Sequence, residues 1–381
     1  MTTRTALIAV VLVARAAWAE PEPKVITLAL DFAGSTPLLA VRVNGSAPGW
    51  FIVDSGASPC VLDDAFARRL RLVPQGSGEA TGAGKGSVPM RRYRGEAVAF
   101  QAGRARFQCP TVISLDLSGQ PAILGRKIDG ILGGGFLAQY VVELDYETAT
   151  LRLHPRDGFA YRGPGEALPI TIEKGCPHVV AQLTAPGADP AERNLLVDTG
   201  SQDAVDDDVL LQSKTPLVEV VGGVGIGQTY KVSFGKLSRV RFGSFELENV
   251  PSVAPGVPLV GGEVLRRFRI FFDYGGARMI LEPGPHVRDR FPVGGPSFSL
   301  RAVPGGNAVR LEDVPKGSAA AQAGLVAGDQ ITAVDGTPVA ELTFTRLQSL
   351  LARRGATFSL GVRRGGQRLT ISLENPPAAS P

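Results

Sequence analysis

Short apolar runs separated by glycine, proline and polar turns make up most of the chain, and long stretches with helical periodicity are scarce. This pattern predicts strands and turns rather than helical bundles. The composition agrees, since 47 Gly and 29 Pro occur among 381 residues, and both residue types end strands at turns. At this length, with 44% hydrophobic residues, we predict two or three domains that are mostly β.

One apolar run ends in an acidic residue. In "FIVDSGAS", residues 51–58, the run leads into Asp54, and Ser55 and Gly56 follow as a turn. The pattern indicates a buried strand that stops at a carboxylate. Burying an isolated carboxylate is costly, so we expect Asp54 to have a partner.

An internal repeat supplies a candidate partner. "LLVDTGSQ", which begins at Leu195, repeats the first motif with Asp198, Thr199 and Gly200. The two aspartates are 144 residues apart. The repeat of the motif suggests that two equivalent turns occur in the fold.

A second pair of segments repeats over a longer stretch. "ILGGGFLAQYVVELDYETATLRLHP" begins at Ile131, and "LVGGEVLRRFRIFFDYGGARMILEP" begins at Leu259, 128 residues later. Each copy is predicted to be a lobe with the same order of parts. A strand ending in Asp-Ser/Thr-Gly is followed by a glycine-rich hairpin, by short strands, and by a Gly-Gly turn into two closing strands.

The glycine-rich hairpins are "ATGAGKGS" after Glu79 and "VGGVGIGQTY" after Val220. Glycine permits backbone conformations that other residues avoid, which suits a mobile hairpin tip. The candidate tip glycines are Gly82, Gly84 and Gly86 in the first copy and Gly225 and Gly227 in the second. The first segment lacks the spacing of a P-loop, so phosphate binding is not predicted.

If the two copies pack about a two-fold axis, Asp54 and Asp198 meet at that axis. Two close carboxyl groups cannot easily both ionise, so they share a proton. The ionised member can deprotonate a water molecule while the protonated member donates to a carbonyl oxygen. This division of roles suits peptide hydrolysis without a metal, a cofactor or a covalent nucleophile.

Four further residues are candidate supports of the two aspartates. Gly56 and Gly200 would let the backbone come close to water and substrate. The hydroxyl groups of Ser55 and Thr199 are predicted to hydrogen-bond across their turns.

These motifs resemble the pepsin and retropepsin family of aspartic peptidases over most of residues 25–286. Besides the two Asp motifs, "IDGILGGGFL" at Ile128 and "LVGGEVLRRFRIFFDY" at Leu259 are similar to the family's apolar-apolar-Gly motif and the helix after it. The resemblance implies a mostly β, two-lobed acid protease fold with lobes at 20–160 and 161–291. It also implies Asp54 and Asp198 as the catalytic dyad and the glycine-rich hairpins as flaps.

The composition changes after "PVGGP", residues 292–296, which is a predicted linker. "GSAAAQAGLVAGDQITAVDGTPV" begins at Gly317, and an amphipathic helix is predicted over 345–353. Strand patterns on either side of an Arg-Gly-Gly turn at 364–366 complete the segment, and residues 376–381 are predicted to be a disordered tail.

This last segment resembles a bacterial PDZ domain through its Gly-Leu, Gly-Asp-x-Ile and Val-Asp-Gly pattern, and the domain is predicted for 292–375. PDZ domains bind an extended peptide at a sheet edge beside a helix. The resemblance therefore implies that peptide or protein C-termini are partners here. Gly305, Gly306 and Asn307 are the candidate carboxylate-binding loop.

The N-terminus has the features of an export signal. Arg4 precedes an apolar stretch over residues 6–14, and Ala17 and Ala19 form an A-x-A site, so a signal peptide is predicted over 1–19. The apolar stretch is shorter than the roughly twenty residues that span a bilayer, and no stable membrane span is predicted. The protein is predicted to be exported, to the periplasm or outside the cell.

Export permits disulfides, and the three cysteines allow at most one within the chain. Cys60 with Cys109 is our predicted pair, although the sequence alone leaves the alternatives open. The net charge of +4 is spread over scattered pairs of basic residues, so nucleic acid is not a predicted partner.

The other acidic and histidine positions are assigned structural roles. Asp145 and Asp273 repeat beside tyrosines and are predicted to be turn or capping residues. The run at 206–208, Asp-Asp-Asp, is predicted to be a solvated loop or a helix start, because it lacks the pattern of a calcium loop. His154, His178 and His286 are predicted to be isolated surface residues that form no metal site or catalytic triad.

We therefore predict an exported aspartic endopeptidase that acts on polypeptide substrates through Asp54 and Asp198. The alternative from another class is a non-catalytic exported binding protein that uses the lobes and the PDZ domain as a scaffold. A third arrangement keeps catalysis but pairs the lobes of two chains, and the sequence does not fix the oligomeric state.

Overall fold

The computed structural model describes residues 25–82, 86–222, 230–291, 298–303, 308–342, 344–351, 353 and 355–375. The predicted signal peptide, linker and C-terminal tail lie outside these residues. So do Gly84, Gly225 and Gly227 of the hairpin tips and Gly305, Gly306 and Asn307 of the PDZ loop.

The first lobe is built from β1 to β13 and three short helices. In chain order these are β1 (Ile26–Ala29), β2 (Asp31–Ala33), β3 (Thr36–Val43), β4 (Gly49–Val53), β5 (Cys60–Asp63), α1 (Asp64–Arg69), β6 (Gly76–Ala80), β7 (Val88–Arg94), β8 (Ala99–Ala102), β9 (Ala105–Gln108), β10 (Thr111–Leu115), α2 (Gln120–Leu124), β11 (Gly130–Leu132), α3 (Gly134–Leu137), β12 (Val141–Asp145) and β13 (Thr150–His154).

The second lobe is built from β14 to β23 and one short α-helix. In chain order these are β14 (Glu166–Glu173), β15 (Cys176–Thr184), β16 (Ala191–Asp198), β17 (Val205–Asp206), β18 (Val218–Gly222), β19 (Tyr230–Phe242), β20 (Phe245–Ala254), β21 (Leu259–Gly261), α4 (Gly262–Leu265), β22 (Phe268–Asp273) and β23 (Arg278–Pro283).

The remaining elements form the C-terminal domain. They are β24 (Ser299–Ala302), β25 (Val309–Asp313), α5 (Ala319–Gln322), β26 (Gln330–Val334), β27 (Thr337–Pro338), α6 (Phe344–Leu351), β28 (Thr357–Arg364) and β29 (Gln367–Glu374). This domain has its own apolar core, in which Leu347 of α6 packs with Leu311, Ile331 and Leu360 of the sheet. The helix and the two final strands agree with the sequence prediction.

The lobes are joined by a run of antiparallel strands to which both contribute, in the order β1-β13-β12-β22-β23-β14, within a larger sheet. Its central pairing is β12 with β22, in which Glu143 lies opposite Phe271. These two residues are themselves 128 residues apart, so each is the other's counterpart in the repeat. Leu144 pairs with Ile270, and Val142 pairs with Phe272, as a two-fold axis through the Glu143–Phe271 pair requires. The sequence repeat is thus expressed as a two-fold arrangement within one chain.

Both predicted glycine-rich hairpins are present. β6 and β7 pair antiparallel from Gly76 opposite Arg92 to Ala80 opposite Val88. β18 and β19 pair antiparallel up to Gly222 opposite Tyr230.

The predicted disulfide is confirmed. Cys60, at the start of β5, is bonded to Cys109, which precedes β10, and both side chains are buried. The bridge therefore joins two neighbouring strands, because β5 and β10 pair in parallel from Cys60 opposite Val112. Cys176 is a free, buried cysteine.

The predictions for Asp145 and Asp273 are confirmed. Oδ1 of Asp145 accepts hydrogen bonds from the backbone N–H groups of Glu147 and Thr148 at 3.0 and 3.1 Å. Oδ1 of Asp273 accepts one from Gly276 at 2.8 Å. Both carboxylates thus hold the tight turn that connects the two closing strands of their lobe.

For the acidic run at 206–208, the predicted helix start is confirmed, since Oδ1 of Asp207 accepts the N–H of Val209 at 2.7 Å at the start of a short 3-10 helix. The other predicted possibility, a solvated loop, is wrong. Asp206 is buried because its strand β17 is paired on both sides, and Asp207, the residue after this strand, is also buried.

The surface prediction was wrong for two histidines. His154 is half-buried, and its Nε2 is 2.8 Å from Oε2 of the buried Glu143. His178 is also half-buried, and its Nδ1 is 3.1 Å from the carbonyl oxygen of Cys176.

Among the described residues, no helix is both long enough and apolar enough to cross a membrane.

Removing the disulfide should lower the stability of the first lobe. The bridge closes a segment with a sequence separation of 49, and restricting the unfolded chain to this extent is worth about 4 kcal/mol in the chain-entropy model. We expect the Cys60→Ala, Cys109→Ala double variant to lose about that much free energy of unfolding in guanidinium titrations. As a control, reductant should destabilise the wild type and leave the double variant unchanged. A double variant as stable as the oxidised wild type would contradict the role assigned to the bridge.

Candidate active site

Asp54 and Asp198 occupy equivalent positions at the contact between the lobes. Asp54 follows β4, which pairs in parallel with β11, and Asp198 ends β16, which pairs in parallel with β21. Asp54 is fixed by its N–H, which donates to the carbonyl oxygen of Leu132 at 3.0 Å. Residues 51–53 before Asp54 are buried, as are Leu195 and Val197 before Asp198, so each strand leads its aspartate to the contact between the lobes.

The turn after each aspartate holds its carboxyl group. Oδ1 of Asp54 accepts the N–H groups of Gly56 and Ala57 at 2.8 and 3.1 Å. Oδ1 of Asp198 accepts those of Gly200 and Ser201 at 2.8 and 3.0 Å. One oxygen of each carboxyl group is thereby committed to its own turn.

Each turn also lies against the carboxyl group of the other lobe. A Cβ atom added to Gly56 would lie 2.5 Å from Cγ of Asp198, and one added to Gly200 would lie 2.6 Å from Cγ of Asp54. No side chain fits in either place. Glycine is required at both positions because the two lobes approach each other closely. The sequence had predicted a different role for these glycines, which was to let water and substrate come close to the backbone.

The hydroxyl groups of Ser55 and Thr199 connect the lobes. Oγ of Ser55 donates to the carbonyl oxygen of Val197 at 2.6 Å, and Oγ1 of Thr199 donates to that of Val53 at 2.7 Å. Each hydroxyl oxygen also accepts the backbone N–H of the other residue, at 3.0 Å in both directions. These four bonds are buried and reciprocal, and we call them the hydroxyl bridge. The prediction that each hydroxyl bonds across its own turn was therefore wrong, because both reach the opposite lobe.

The two carboxyl groups titrate as a pair. Burial raises the pKa of Asp54 well above its usual range, and the charge of Asp198 and a hydrogen bond between the two side chains raise it further. Burial also raises the pKa of Asp198, but the N–H groups of Ser201 and Gly200 and the bond with Asp54 oppose that rise. With one proton on the pair, the raised pKa belongs to the two carboxyl groups together, since their turns supply matching donors.

Two tyrosines beside the pair were not recognised as site residues from the sequence. Tyr146 and Tyr274 follow Asp145 and Asp273, and their hydroxyl oxygens are buried without a hydrogen-bond partner within the described residues. Burial raises the pKa of both tyrosines, and the nearby charge of Asp198 raises that of Tyr146 further. The signal was present in the repeated Asp-Tyr pair, in which the sequence predicted a role for the aspartate alone.

The hairpins from β2 to β3 and from β14 to β15 also contact the aspartate turns. Sγ of Cys176 donates to the carbonyl oxygen of Gly56 at 3.3 Å, and Oγ1 of Thr36 donates to that of Gly200 at 3.3 Å. Burial, followed by the charges of Asp54 and Asp198, raises the pKa of Cys176 to about 11. The Cys176 thiol thus stays protonated and acts as a structural donor.

The first glycine-rich hairpin packs on a separate apolar cluster of the first lobe. Met90 of β7 joins it from the hairpin, and Ile52, Val61 and Ile131 join it from the strands around Asp54. Gly82 and Gly86 are exposed on either side of the hairpin tip, and Gly86 has a positive φ of 84°. The hairpin is thus attached at its base, next to the strand that carries Asp54.

Comparison with known families agrees with this architecture. Residues 39–136 match the aspartyl protease family, and residues 310–364 match the PDZ domain family. Among solved structures, the chain is similar to an aspartic proteinase from Irpex lacteus, with 14% sequence identity and a TM-score of 0.46 over 70% of this chain and 99% of that one. Comparison with curated proteins gives no match. The predicted family resemblance and the mostly β fold with a C-terminal PDZ domain are confirmed.

The contribution of the hydroxyl bridge should be measurable as a change in the free energy of unfolding. Thr199→Val keeps the shape of the side chain but removes its hydroxyl, leaving the buried N–H of Ser55 and carbonyl of Val53 unpaired. We expect a loss of about 2–4 kcal/mol in the free energy of unfolding, as two buried groups lose a partner. Thr199→Ser, which keeps the hydroxyl, is the matched control. Equal denaturant midpoints for the two variants would show that the bridge does not stabilise the lobe contact.

The raised pKa of Asp54 predicts the pH dependence of stability. Protonated Asp54 stabilises the folded state fully below the unfolded pKa of about 4, and this contribution is lost as pH rises through the raised folded pKa. An amide imitates the protonated acid at every pH. We therefore expect Asp54→Asn to melt higher than the wild type at pH 7, by roughly 3 °C or more, and to melt at a similar temperature near pH 3.

Asp145→Asn is a control for which we expect the opposite change in melting temperature at pH 7. Burial raises the pKa of Asp145, but hydrogen bonds from Thr148 and Glu147 and the charge of Arg269 lower it overall. The stabilisation by Asp145 is therefore present above pH 4 and lost in acid, so this variant should melt lower than the wild type at pH 7. An Asp54→Asn variant that also melts lower at pH 7 would refute the assignment of a raised pKa.

Proposed function

We propose that this protein is an exported aspartic endopeptidase that hydrolyses polypeptides at an Asp54–Asp198 dyad. The observation that carries the proposal is the pair of half-buried carboxyl groups, held by equivalent turns at the contact between the lobes. The hydroxyl bridge fixes the turns, so the two acids are positioned before substrate arrives, which lowers the cost of reaching the reactive geometry.

The first step is the addition of water to the scissile carbonyl. Asp198, as the carboxylate, takes a proton from the water as its oxygen bonds to the carbonyl carbon. Asp54, as the acid, donates its proton to the carbonyl oxygen. The product is a tetrahedral diol, with Asp198 now protonated and Asp54 ionised.

The second step breaks the carbon–nitrogen bond. Asp198 donates its proton to the leaving nitrogen, and Asp54 takes a proton from one hydroxyl group of the diol. A carboxylic acid and an amine leave, and both aspartates return to their initial protonation states. The cycle therefore needs no cofactor.

Export is part of the proposal, and the Cys60–Cys109 disulfide supports it. Disulfides persist in oxidising compartments such as the periplasm and the cell exterior. The bridge lies in the core of the first lobe, within the part of the chain that follows the predicted signal peptide.

The C-terminal domain is proposed to bind peptide or protein C-termini. PDZ domains hold an added peptide strand between a sheet edge and a helix. Here the edge strand is β24, because β25 is paired with both β24 and β26. The helix is α6, which buries Leu347 and Leu351 while leaving Arg346 exposed. Binding there would bring polypeptide chains to the same molecule as the dyad.

Replacing either aspartate should abolish hydrolysis. Asp54→Asn removes the acid that donates to the carbonyl oxygen, and Asp198→Asn removes the base that activates water. We expect each variant to cleave a diverse peptide mixture at least about 10³-fold more slowly than the wild type, measured by mass spectrometry from pH 3 to pH 8. Circular dichroism and thermal melting should show that both variants are folded.

Asp145→Asn is again the matched control, since it alters a buried aspartate outside the dyad and should retain cleavage. Full activity in either dyad variant would refute the mechanism. A folded wild type that binds peptides but cleaves none at any pH would support the alternative of an exported binding protein.

A further inference from the structure

Asp206 occupies a position that is apolar in the first lobe. Val61 of β5 lies opposite Ile131, and Asp206 of β17 lies opposite Leu259, which is the counterpart of Ile131 in the repeat. Val61 belongs to the apolar cluster beneath the first hairpin. The second lobe therefore places a carboxyl group where the first lobe places a valine side chain.

This carboxyl group is buried and incompletely paired. Asp206 is 9% exposed, and its Oδ1 has no hydrogen-bond partner within the described residues. The carboxyl group of the next residue is paired, in contrast to that of Asp206. Oδ1 of Asp207 accepts the N–H of Val209 and lies 3.3 Å from Nε of Arg193. A buried, unpaired carboxyl group is costly, so its retention here calls for an explanation.

The groups that surround Asp206 would attract a cation. After burial, the charges of Asp203 and Asp198 raise the pKa of Asp206 well above its usual range. The Asp206 side chain lies along Gly256, and the hydroxyl of Tyr230 donates to the carbonyl oxygen of the adjacent Pro255 at 3.4 Å. Carboxyl groups and an aromatic ring together form the kind of environment that binds an ammonium or guanidinium group.

Asp203 connects this environment to the dyad. It belongs to the loop that follows the Asp198 turn, and its backbone is fixed because its N–H donates to Oγ of Ser201 at 3.1 Å and its carbonyl accepts the N–H of Glu263 at 3.2 Å. Its side chain is exposed. The pair thus combines a carboxyl group at the surface with one at depth, both within electrostatic reach of Asp198.

We propose that Asp203 and Asp206 form a subsite of the second lobe that recognises a lysine or arginine side chain of the substrate next to the scissile bond. This inference rests on the proposed endopeptidase function and adds a substrate class to it. The first lobe would accept an apolar side chain at its equivalent cluster.

The test compares peptides that differ only in charge. Pairs of quenched fluorescent peptides carry lysine or its uncharged isostere norleucine at each position on either side of the cleaved bond. At one position we expect the wild type to have a kcat/KM at least tenfold higher for lysine. Asp206→Val, which copies the residue of the first lobe, should lose this preference and keep the kcat/KM for norleucine within about threefold.

Asp203→Asn provides a second variant at an exposed position, where folding is not at risk. It should reduce the preference for lysine at least threefold, and it decides the question if Asp206→Val does not fold. Cleavage by the wild type without any preference for lysine, or an unchanged preference in both variants, would overturn the subsite.

Binding measurements test the subsite proposal independently of the catalytic proposal. Fluorescence anisotropy with Asp54→Asn protein should show the same preference for lysine peptides, in Kd, and its loss when Asp206→Val or Asp203→Asn is added. A wild type that cleaves nothing but binds with this preference would refute the endopeptidase and support the subsite. Equal Kd values for the two peptides would overturn the subsite whether or not cleavage occurs.

Discussion

The reciprocal hydrogen bonds of Ser55 and Thr199 are the interaction on which the geometry of the site depends. Each hydroxyl group accepts an N–H from the opposite turn and donates to a carbonyl of the opposite strand. A hydroxyl can do both at once, which an amide nitrogen or a carboxylate oxygen cannot. Because all four bonds are buried, breaking one leaves a desolvated group without a partner. The distance between the two aspartates is therefore set by bonds between the lobes.

The strand pairing between the lobes is a second constraint on the two-fold axis that relates them. The pairing of β12 with β22 places Glu143 opposite its own counterpart, Phe271, so the shared sheet and the hydroxyl bridge both obey one two-fold relation. The sheet spans both lobes through backbone hydrogen bonds, and the bridge adds side-chain bonds at the aspartates. The strand pairing and the hydroxyl bridge thus align the two lobes about the same axis. Equivalent residues of the two lobes therefore meet at this axis.

The sequence alone predicted much of this arrangement, because duplication leaves a constant offset that can be counted. The offset of 128 identified the closing strands, and the Asp-Ser/Thr-Gly motif identified Asp54 and Asp198 as equivalent. The direction of the two hydroxyl groups was not predictable in the same way. Their partners lie more than 140 residues away, and the choice between the local turn and the opposite lobe depends on how the lobes pack.

The burial of Asp206 was missed for a related reason. Three consecutive aspartates are typical of a solvated loop, and sequence pattern alone gives each the same weight. In the fold they separate, since Asp206 is paired within a sheet, Asp207 caps a short helix beside Arg193, and Asp208 is exposed. Strand pairing determines that Asp206 is buried, and the pattern of charges in the sequence does not predict this pairing.

The departures from two-fold symmetry give the site a direction. A peptide bond has a carbonyl end and a nitrogen end, so two identical acids with identical surroundings would have no basis for distinguishing them. The turn N–H groups do not supply this difference, because each aspartate accepts a matching pair of them. The acidic residue Asp206, at the position equivalent to Val61, does make the two sides of the dyad differ. In the proposed mechanism, this difference in the second lobe would supply the polarity that orients a substrate, while the first lobe keeps the apolar pattern of the repeat.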